Sequence, residues 1–176
     1  MDYQALEEHI KDSVMEEQAK LGFRKEVIRL YYPVGMLNNL FGTACDAEEM
    51  QQALAGFTDF AKERLGEVTI THKKDRFCLL LPEETSIYVH EHKKENEFIH
   101  QLVNLIASHE TDMEQVKKLF EQQPFPSVVE QPTGGEFDTV IHFTQGDDRY
   151  YYCFKDEGFH ITYHRFLPAD YKDLGM

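Results

Sequence analysis

Residues 149–166, RYYYCFKDEGFHITYHRF, decide how the C-terminal third of the chain is interpreted. Two runs of aromatic and β-branched residues flank an Asp-Glu-Gly turn signal, a pattern typical of a β-hairpin. A two-residue connection at Glu157 and Gly158 closes this hairpin and places Phe154 opposite Ile161. One face of the predicted hairpin then carries the apolar set Tyr150, Tyr152, Phe154, Phe159, Ile161 and Tyr163.

The opposite face of this hairpin is mixed in character, and it is either solvated or a partly covered groove. From it we select Tyr151, His160 and His164 as a candidate surface for a ligand or partner. Two histidines four residues apart along a strand have Cα atoms about 13 Å apart, too far to share one zinc ion. The full set on this face is Tyr151, Cys153, Lys155, His160, Thr162, His164 and Phe166.

Two further β-rich segments, SVVE and EFDTVIHF, precede the hairpin and are separated from it by the turn clusters PTGG and QGDD. This predicts an antiparallel meander of about four strands. Alternation over residues 68–81 predicts an earlier hairpin, and SIYVHEH at residues 86–92 is rich in β-branched residues.

Helical periodicity fills most of the remaining chain. Leu6, Ile10 and Val14 recur at helical spacing before Gly22, and Asp46 with Glu49 marks the start of a second helix. Two more helices are predicted over KKENEFIHQLVNLIASHE, residues 93–110, and from a capping box at residues 111–114. We therefore predict an α+β fold, a single domain spanning residues 1–176, with the meander and the earlier hairpin packed against about four helices.

Charge limits the class of partner. The chain has 176 residues, with 18 Lys and Arg against 32 Asp and Glu, which gives a formal charge of −14. Such a charge repels nucleic acid and anionic membrane surfaces, so we expect no nucleic-acid or membrane partner and instead a neutral or basic protein. The absence of a signal-peptide pattern and of long apolar runs predicts a soluble, cytoplasmic protein.

The sequence His90-Glu91-His92 is the best candidate metal-binding motif. If this segment is extended, the two imidazoles point the same way with Cα atoms about 6.5 Å apart, and His90 and His92 would share one divalent metal. If it is helical, the rings diverge. A third ligand is not identifiable from the sequence.

Other catalytic motifs are incomplete. The string TGGEFD has one acid fewer than the GG(D/E)EF signature of diguanylate cyclases. No GxSxG, P-loop or GxGxxG pattern occurs, and Cys45, Cys78 and Cys153 form no CxxC pair. No cofactor is therefore predicted, apart from a divalent metal if the two histidines converge.

Four stretches, EEQAKLGFRKEVIRLYYP, YVHEHKKENEFI, GEFDTVIHF and YCFKDEGFHITYHRFLPADY, resemble an uncharacterised domain-of-unknown-function family from anaerobic gram-positive bacteria. The resemblance covers nearly the whole chain. It implies a bacterial domain and carries no assigned activity, ligand or catalytic residue.

These observations predict a non-enzymatic cytoplasmic module that binds a protein partner in a binding or regulatory role. One alternative is a metal-dependent hydrolase that uses His90 and His92 with a metal-bound water. Another is a small-molecule sensor in which the tyrosine-rich sheet forms one wall of a pocket.

Overall fold

The computed structural model describes residues 1–93, 96–108 and 110–175. These residues form seven helices and seven strands, so the predicted α+β class is confirmed, with more helices than the four expected. The chain divides into two compact units, residues 1–95 and residues 96–176. Within the described part of the chain, no helix is both long and apolar enough to cross a membrane.

The first unit contains four helices and a three-stranded antiparallel sheet of order β1-β3-β2. The predicted hairpin over residues 68–81 forms β2 and β3, and β1 pairs with the opposite edge of β3. The elements are α1 (Tyr3–Leu21), β1 (Ile28–Pro33), α2 (Val34–Phe41), α3 (Ala47–Leu65), β2 (Thr69–Lys73), β3 (Arg76–Leu81) and α4 (Glu83–His92).

The long helices of this unit begin and end where the sequence indicates. Asp46 caps α3 through a capping box with Glu49, as predicted, and Gly22 follows the last residue of α1. The apolar stripes of both helices meet the inner face of the sheet in a common core. Its fully buried residues include Leu6, Ile10, Val14, Leu37, Met50, Phe57, Leu65, Phe77, Leu79 and Leu81.

The helix α4 corrects the extended conformation on which the metal hypothesis for residues 90–92 depended. Thr85, Ser86 and Val89 are buried on one side of this helix, at helical rather than strand spacing. The Thr85 hydroxyl donates to the carbonyl of Leu65 at 2.5 Å, which fixes the first turn against the end of α3. Burial against neighbouring elements thus outweighs the strand propensity of the β-branched residues.

The second unit contains three helices and the predicted antiparallel meander, with strand order β4-β5-β6-β7. α5 and α6 pack on one face of this sheet, where the ring of Phe98 lies edge-on to Tyr152 at 5.7 Å and Phe120 lies edge-on to Tyr152 at 5.3 Å. The elements are α5 (Glu97–Ala107), α6 (Met113–Glu121), β4 (Ser127–Glu130), β5 (Thr139–Phe143), β6 (Tyr151–Asp156), β7 (Ile161–Phe166) and α7 (Pro168–Asp173).

The start of α6 lies one residue later than predicted. Asp112 is the N-cap and forms a capping box with Gln115, whereas Thr111 and Glu114 were expected in these roles. Thr111 instead donates its hydroxyl to the carbonyl of Leu105, at the end of the preceding helix. The two possible boxes overlap in sequence, and this tertiary contact selects between them.

The β6–β7 hairpin has a different register from the predicted one. Phe154 lies opposite Tyr163, and Asp156 lies opposite Ile161, so the connection has four residues instead of two. A shift of two residues preserves which side chains share a face, and the predicted tyrosine-rich core face is therefore retained. Phe159 is the exception, because it now belongs to the connection and is 71% exposed.

Candidate functional site

His90 and His92 are not brought together by the structure. They lie two residues apart on α4, a spacing that separates side chains by about 200° around a helix. His90 stacks on Phe23, and His92 stacks on Tyr88 and lies with Nδ1 3.0 Å from the Tyr88 carbonyl oxygen. Across the described ranges, no group of three or more His, Cys, Asp or Glu side chains has an arrangement suited to a metal ion.

His92 lines a small cleft between α1 and α4. The cleft has a volume of about 300 Å³, and Lys11, Tyr88 and Lys93 also line it. Both lysines are already paired: Lys11 Nζ lies 2.5 Å from Glu7, and Lys93 Nζ lies 2.5 Å from Asp12. Both lysines among the described lining residues are therefore engaged by acids and not available to an anionic substrate.

Glu7, one turn before Lys11 on α1, is a buried carboxylate held by two cations. It accepts hydrogen bonds from Arg64 Nε at 2.8 and 2.9 Å, and its side chain is almost fully removed from solvent. Burial alone raises the pKa of Glu7, but hydrogen bonds from Arg64 and Lys11 outweigh it and hold the pKa below its ordinary value. A carboxylate fixed in its charged form by two cations serves structure and is a poor general acid.

Tyr151 lies on the outer face of the second sheet, which the structure shows to be partly covered. Its ring stacks between His142 at 4.2 Å and Tyr171 of α7 at 4.8 Å. Phe137 covers the adjoining part of the face. The choice between a solvated face and a partly covered groove is thus settled in favour of the groove, with Tyr151 largely inside it.

The covered part of this face also contains Cys153, which is fully buried. Burial raises the pKa of its thiol to about 12. A thiol with this pKa is protonated at neutral pH, so it is not a nucleophile.

Beside the covered region, a cleft of about 460 Å³ opens between the end of β4 and the C-terminal residues. Glu130, Tyr171 and the glycine pair Gly134 and Gly135 line it. The carboxylate of Glu130 also lies 3.5 Å from Nε2 of His142, the residue whose ring stacks on Tyr151.

The predicted surface residues His160 and His164 lie in different surroundings. His164 is exposed on β7, with its ring 5.8 Å from that of Phe137. His160 precedes the strand, and its Nε2 lies 3.1 Å from Glu157. The structure therefore does not assemble Tyr151, His160 and His164 into one site.

His160 belongs instead to the exposed turn between β6 and β7, residues 156–160, which we call the hairpin tip. Phe159 projects from it, with its ring 4.4 Å from that of His160. The Asp156 carboxylate accepts from the Gly158 amide at 2.8 Å, and the Glu157 amide donates to the His160 carbonyl at 3.1 Å. The backbone of the tip is thereby held in one conformation.

Carboxylates form hydrogen bonds at the base of the hairpin tip. Asp138 accepts from the Asp156 amide at 3.0 Å and from Lys155 Nζ at 3.0 Å, which together lower its pKa. With Asp156 and Glu157, three acids therefore lie at the base of the hairpin tip, against one lysine and one histidine.

Sequence reasoning missed the exposure of Phe159 because it assigned this residue to the buried face. The signal was present in the sequence Asp-Glu-Gly-Phe: an Asp that can accept from the amide two residues on favours a longer, side-chain-stabilised turn. A two-residue connection satisfies the apolar alternation equally well, so the alternation does not distinguish the two connections.

A family model described as a domain of unknown function, E. rectale gene description (DUF3877), matches residues 3–175 of the chain. Neither the curated proteins nor the solved structures compared with the chain include a match.

Proposed function

The chain belongs to this family of unknown function, and from that premise we propose that it is a non-enzymatic cytoplasmic binding module whose hairpin tip docks on a neutral or basic protein. The observation that supports the proposal is the 71% exposure of Phe159 on a turn fixed by backbone and carboxylate hydrogen bonds. Aromatic side chains are frequent anchors of protein interfaces, where they fill a pocket of the partner.

The rigidity of the tip favours this role. A flexible turn would lose conformational entropy on binding, whereas a turn already held by the bonds of Asp156 and Asp138 loses little. The anchor is therefore presented in a conformation ready to dock.

The charge around the anchor indicates the kind of partner. Three carboxylates against one lysine make the hairpin tip locally acidic, and the whole chain has a formal charge of −14. Complementary charge accelerates encounter more than it slows dissociation. A basic or neutral surface with an apolar pocket therefore fits the hairpin tip.

The test is capture of partners at low salt from a lysate of the source organism, followed by binding kinetics on the captured protein. We expect Phe159→Ala to raise the dissociation constant by about thirtyfold or more, as for a residue that anchors an interface. Leu21→Ala is the matched control, because Leu21 is 52% exposed on α1 in the other unit and should leave binding unchanged.

Salt dependence tests the electrostatic part separately. The association rate should fall as the Debye length shrinks from about 10 Å at 0.1 M salt to about 3 Å at 1 M. A captured partner that binds Phe159→Ala as tightly as the unchanged chain, or an acidic partner whose association rate ignores salt, would contradict the proposal.

A second candidate function, small-molecule sensing, is favoured by the cleft of about 460 Å³ beside Tyr171. Its volume lies within the range of ligand pockets, about 300–1,000 Å³. A thermal-shift screen of cytoplasmic metabolites tests it: a ligand of this cleft should stabilise the chain, and Leu174→Trp should abolish that shift by filling the space.

A further inference from the structure

The outer face of the first sheet carries an exposed set of cations and one exposed tyrosine. Alternate residues of its strands point into the core, and the others point outward. Cross-strand pairing places Tyr31 beside Cys78 and Thr71 in the middle of this outer face. We call it the basic sheet face, and it consists of Arg29, Tyr31, Thr71, Lys73, Arg76 and Cys78.

The cations of this face are Arg29, Lys73 and Arg76, and all three are exposed. Among the residues that the structure describes, no carboxylate oxygen lies within 4.0 Å of their side-chain nitrogens. By contrast, Lys11 and Arg64 on helices of the same unit both pair with Glu7. The basic sheet face is thus a local positive surface on a chain of charge −14.

An apolar contact surface lies between these cations. Tyr31 is 61% exposed, and it lines a groove of about 420 Å³ together with Cys78 and the β2–β3 turn. The turn adds one cation, Lys74, and one acid, Asp75, so the three cations Lys73, Lys74 and Arg76 outnumber the acid in this groove. An exposed aromatic ring with flanking cations fits a ligand that carries negative charge on both sides of an apolar group.

The register gives the spacing of these groups. Arg76 lies opposite Pro33 on β1, so Arg29 and Arg76 are four residues apart along the strand direction, about 13 Å, with Tyr31 at the midpoint. An extended peptide places residues i, i+2 and i+4 on one side with the same separation. Two acids that flank an apolar residue at alternate positions therefore match the face.

We propose that the basic sheet face binds an extended acidic segment of a partner protein with the pattern acid-x-apolar-x-acid. The acids pair with Arg29 and Arg76, and the apolar side chain packs on Tyr31. This surface belongs to residues 1–95 and is independent of the hairpin tip, which has the opposite charge.

Charge complementarity favours a short acidic segment over nucleic acid. A nucleic acid carries one charge per nucleotide over its whole length and would meet the repulsion of the remaining net negative surface. A peptide places its charge only where the cations lie, and it supplies the apolar side chain that Tyr31 accommodates.

The experiment measures binding of a fluorescein-labelled peptide containing Glu-Ser-Leu-Ser-Glu to the full chain at low salt by fluorescence anisotropy. We expect saturable binding that weakens by about three- to tenfold in Arg76→Glu and in Arg29→Glu, as for exposed ion pairs, and by a similar factor in Tyr31→Ala. All three side chains are exposed, and chemical denaturation confirms that each variant is folded.

Lys62→Glu is the matched control, since it makes the same change in net charge on an exposed site of α3 and should leave binding within twofold of the unchanged chain, the range of surface effects. A peptide of the same composition with the two glutamates adjacent should bind more weakly, because it loses the spacing. The proposal is overturned if the chain binds no peptide, or if a peptide with lysines in place of both glutamates binds equally well. It is also overturned if a single-stranded oligonucleotide binds more tightly with the same dependence on Arg29 and Arg76.

Discussion

At the scale of single residues, the first unit depends on a buried charge as well as on apolar packing. Glu7 is only 3% exposed and accepts hydrogen bonds from two cations, of which Arg64 keeps part of its side chain in solvent. Removing one partner of such a pair leaves the others buried without compensation. The position of Glu7 on the apolar side of α1 gave no sign of this role, because its partner is 57 residues away in sequence.

We expect Glu7→Gln to lower the free energy of unfolding by about 2–4 kcal/mol at neutral pH. This is somewhat less than the roughly 3–5 kcal/mol for breaking a fully buried pair, because Arg64 is partly solvated. Glu8→Gln, on the neighbouring and more exposed carboxylate, should cost less than about 0.5 kcal/mol. Chemical denaturation of both variants measures the difference.

The pH dependence provides an independent check. Because the folded-state pKa of Glu7 is lowered, its stabilisation is fully present above the unfolded value of 4.5 and is lost as the pH falls through the folded value. The gap in stability between the unchanged chain and Glu7→Gln should therefore narrow below about pH 4.5. A gap that stays constant down to pH 3 would show that the charge of Glu7 is not what stabilises the fold.

At the scale of elements, most boundaries follow from short-range signals, and the errors arise where two local solutions compete. Both the Thr111 and the Asp112 boxes satisfy the capping pattern of α6, and both a two-residue and a four-residue connection fit β6 and β7. In each case a hydrogen-bonding partner that the apolar pattern does not specify makes the choice. For α6 it is the carbonyl of Leu105, which takes the Thr111 hydroxyl.

Substitution of the α6 cap distinguishes the two boxes. Asp112→Ala should destabilise the chain by about 1 kcal/mol, because it removes the acceptor for the Gln115 amide at 2.8 Å. Glu114→Ala, which was the partner in the predicted box, should cost less than about 0.5 kcal/mol, because its side chain is exposed and pairs only with Lys117. A larger loss for Glu114→Ala, measured by denaturation, would favour the earlier start of the helix.

At the scale of the whole molecule, each unit has an apolar core that its own sequence pattern predicts. Phe57 lies on the stripe of α3 and Leu102 on that of α5, and both are fully buried. The single domain over residues 1–176 stays a prediction, and the cooperativity of unfolding decides it.

Phe57→Ala and Leu102→Ala should each lower the free energy of unfolding by about 2–5 kcal/mol through the cavity they leave. If the chain is a single domain, both variants shift one common transition, followed by far-UV circular dichroism during chemical denaturation. Two transitions, each shifted by only one of the variants, would identify residues 1–95 and 96–176 as separate domains. A loss below about 0.5 kcal/mol for both would mean that neither side chain is in a core.

The sequence by itself determined the class of fold, the meander, the helices α1, α3, α5 and α6, and the buried faces. Hydrophobic periodicity and capping are local and act within a few residues of the chain. Tertiary structure alone decided that residues 83–92 are helical, since Thr85 and Val89 gain burial from distant elements that outweighs their strand propensity. Apolar periodicity by itself left the exposure of Phe159 undecided. A shift of two residues leaves the apolar pattern of the strands unchanged, so the pattern could not distinguish the two registers, and only the hydrogen bonds that close the turn did.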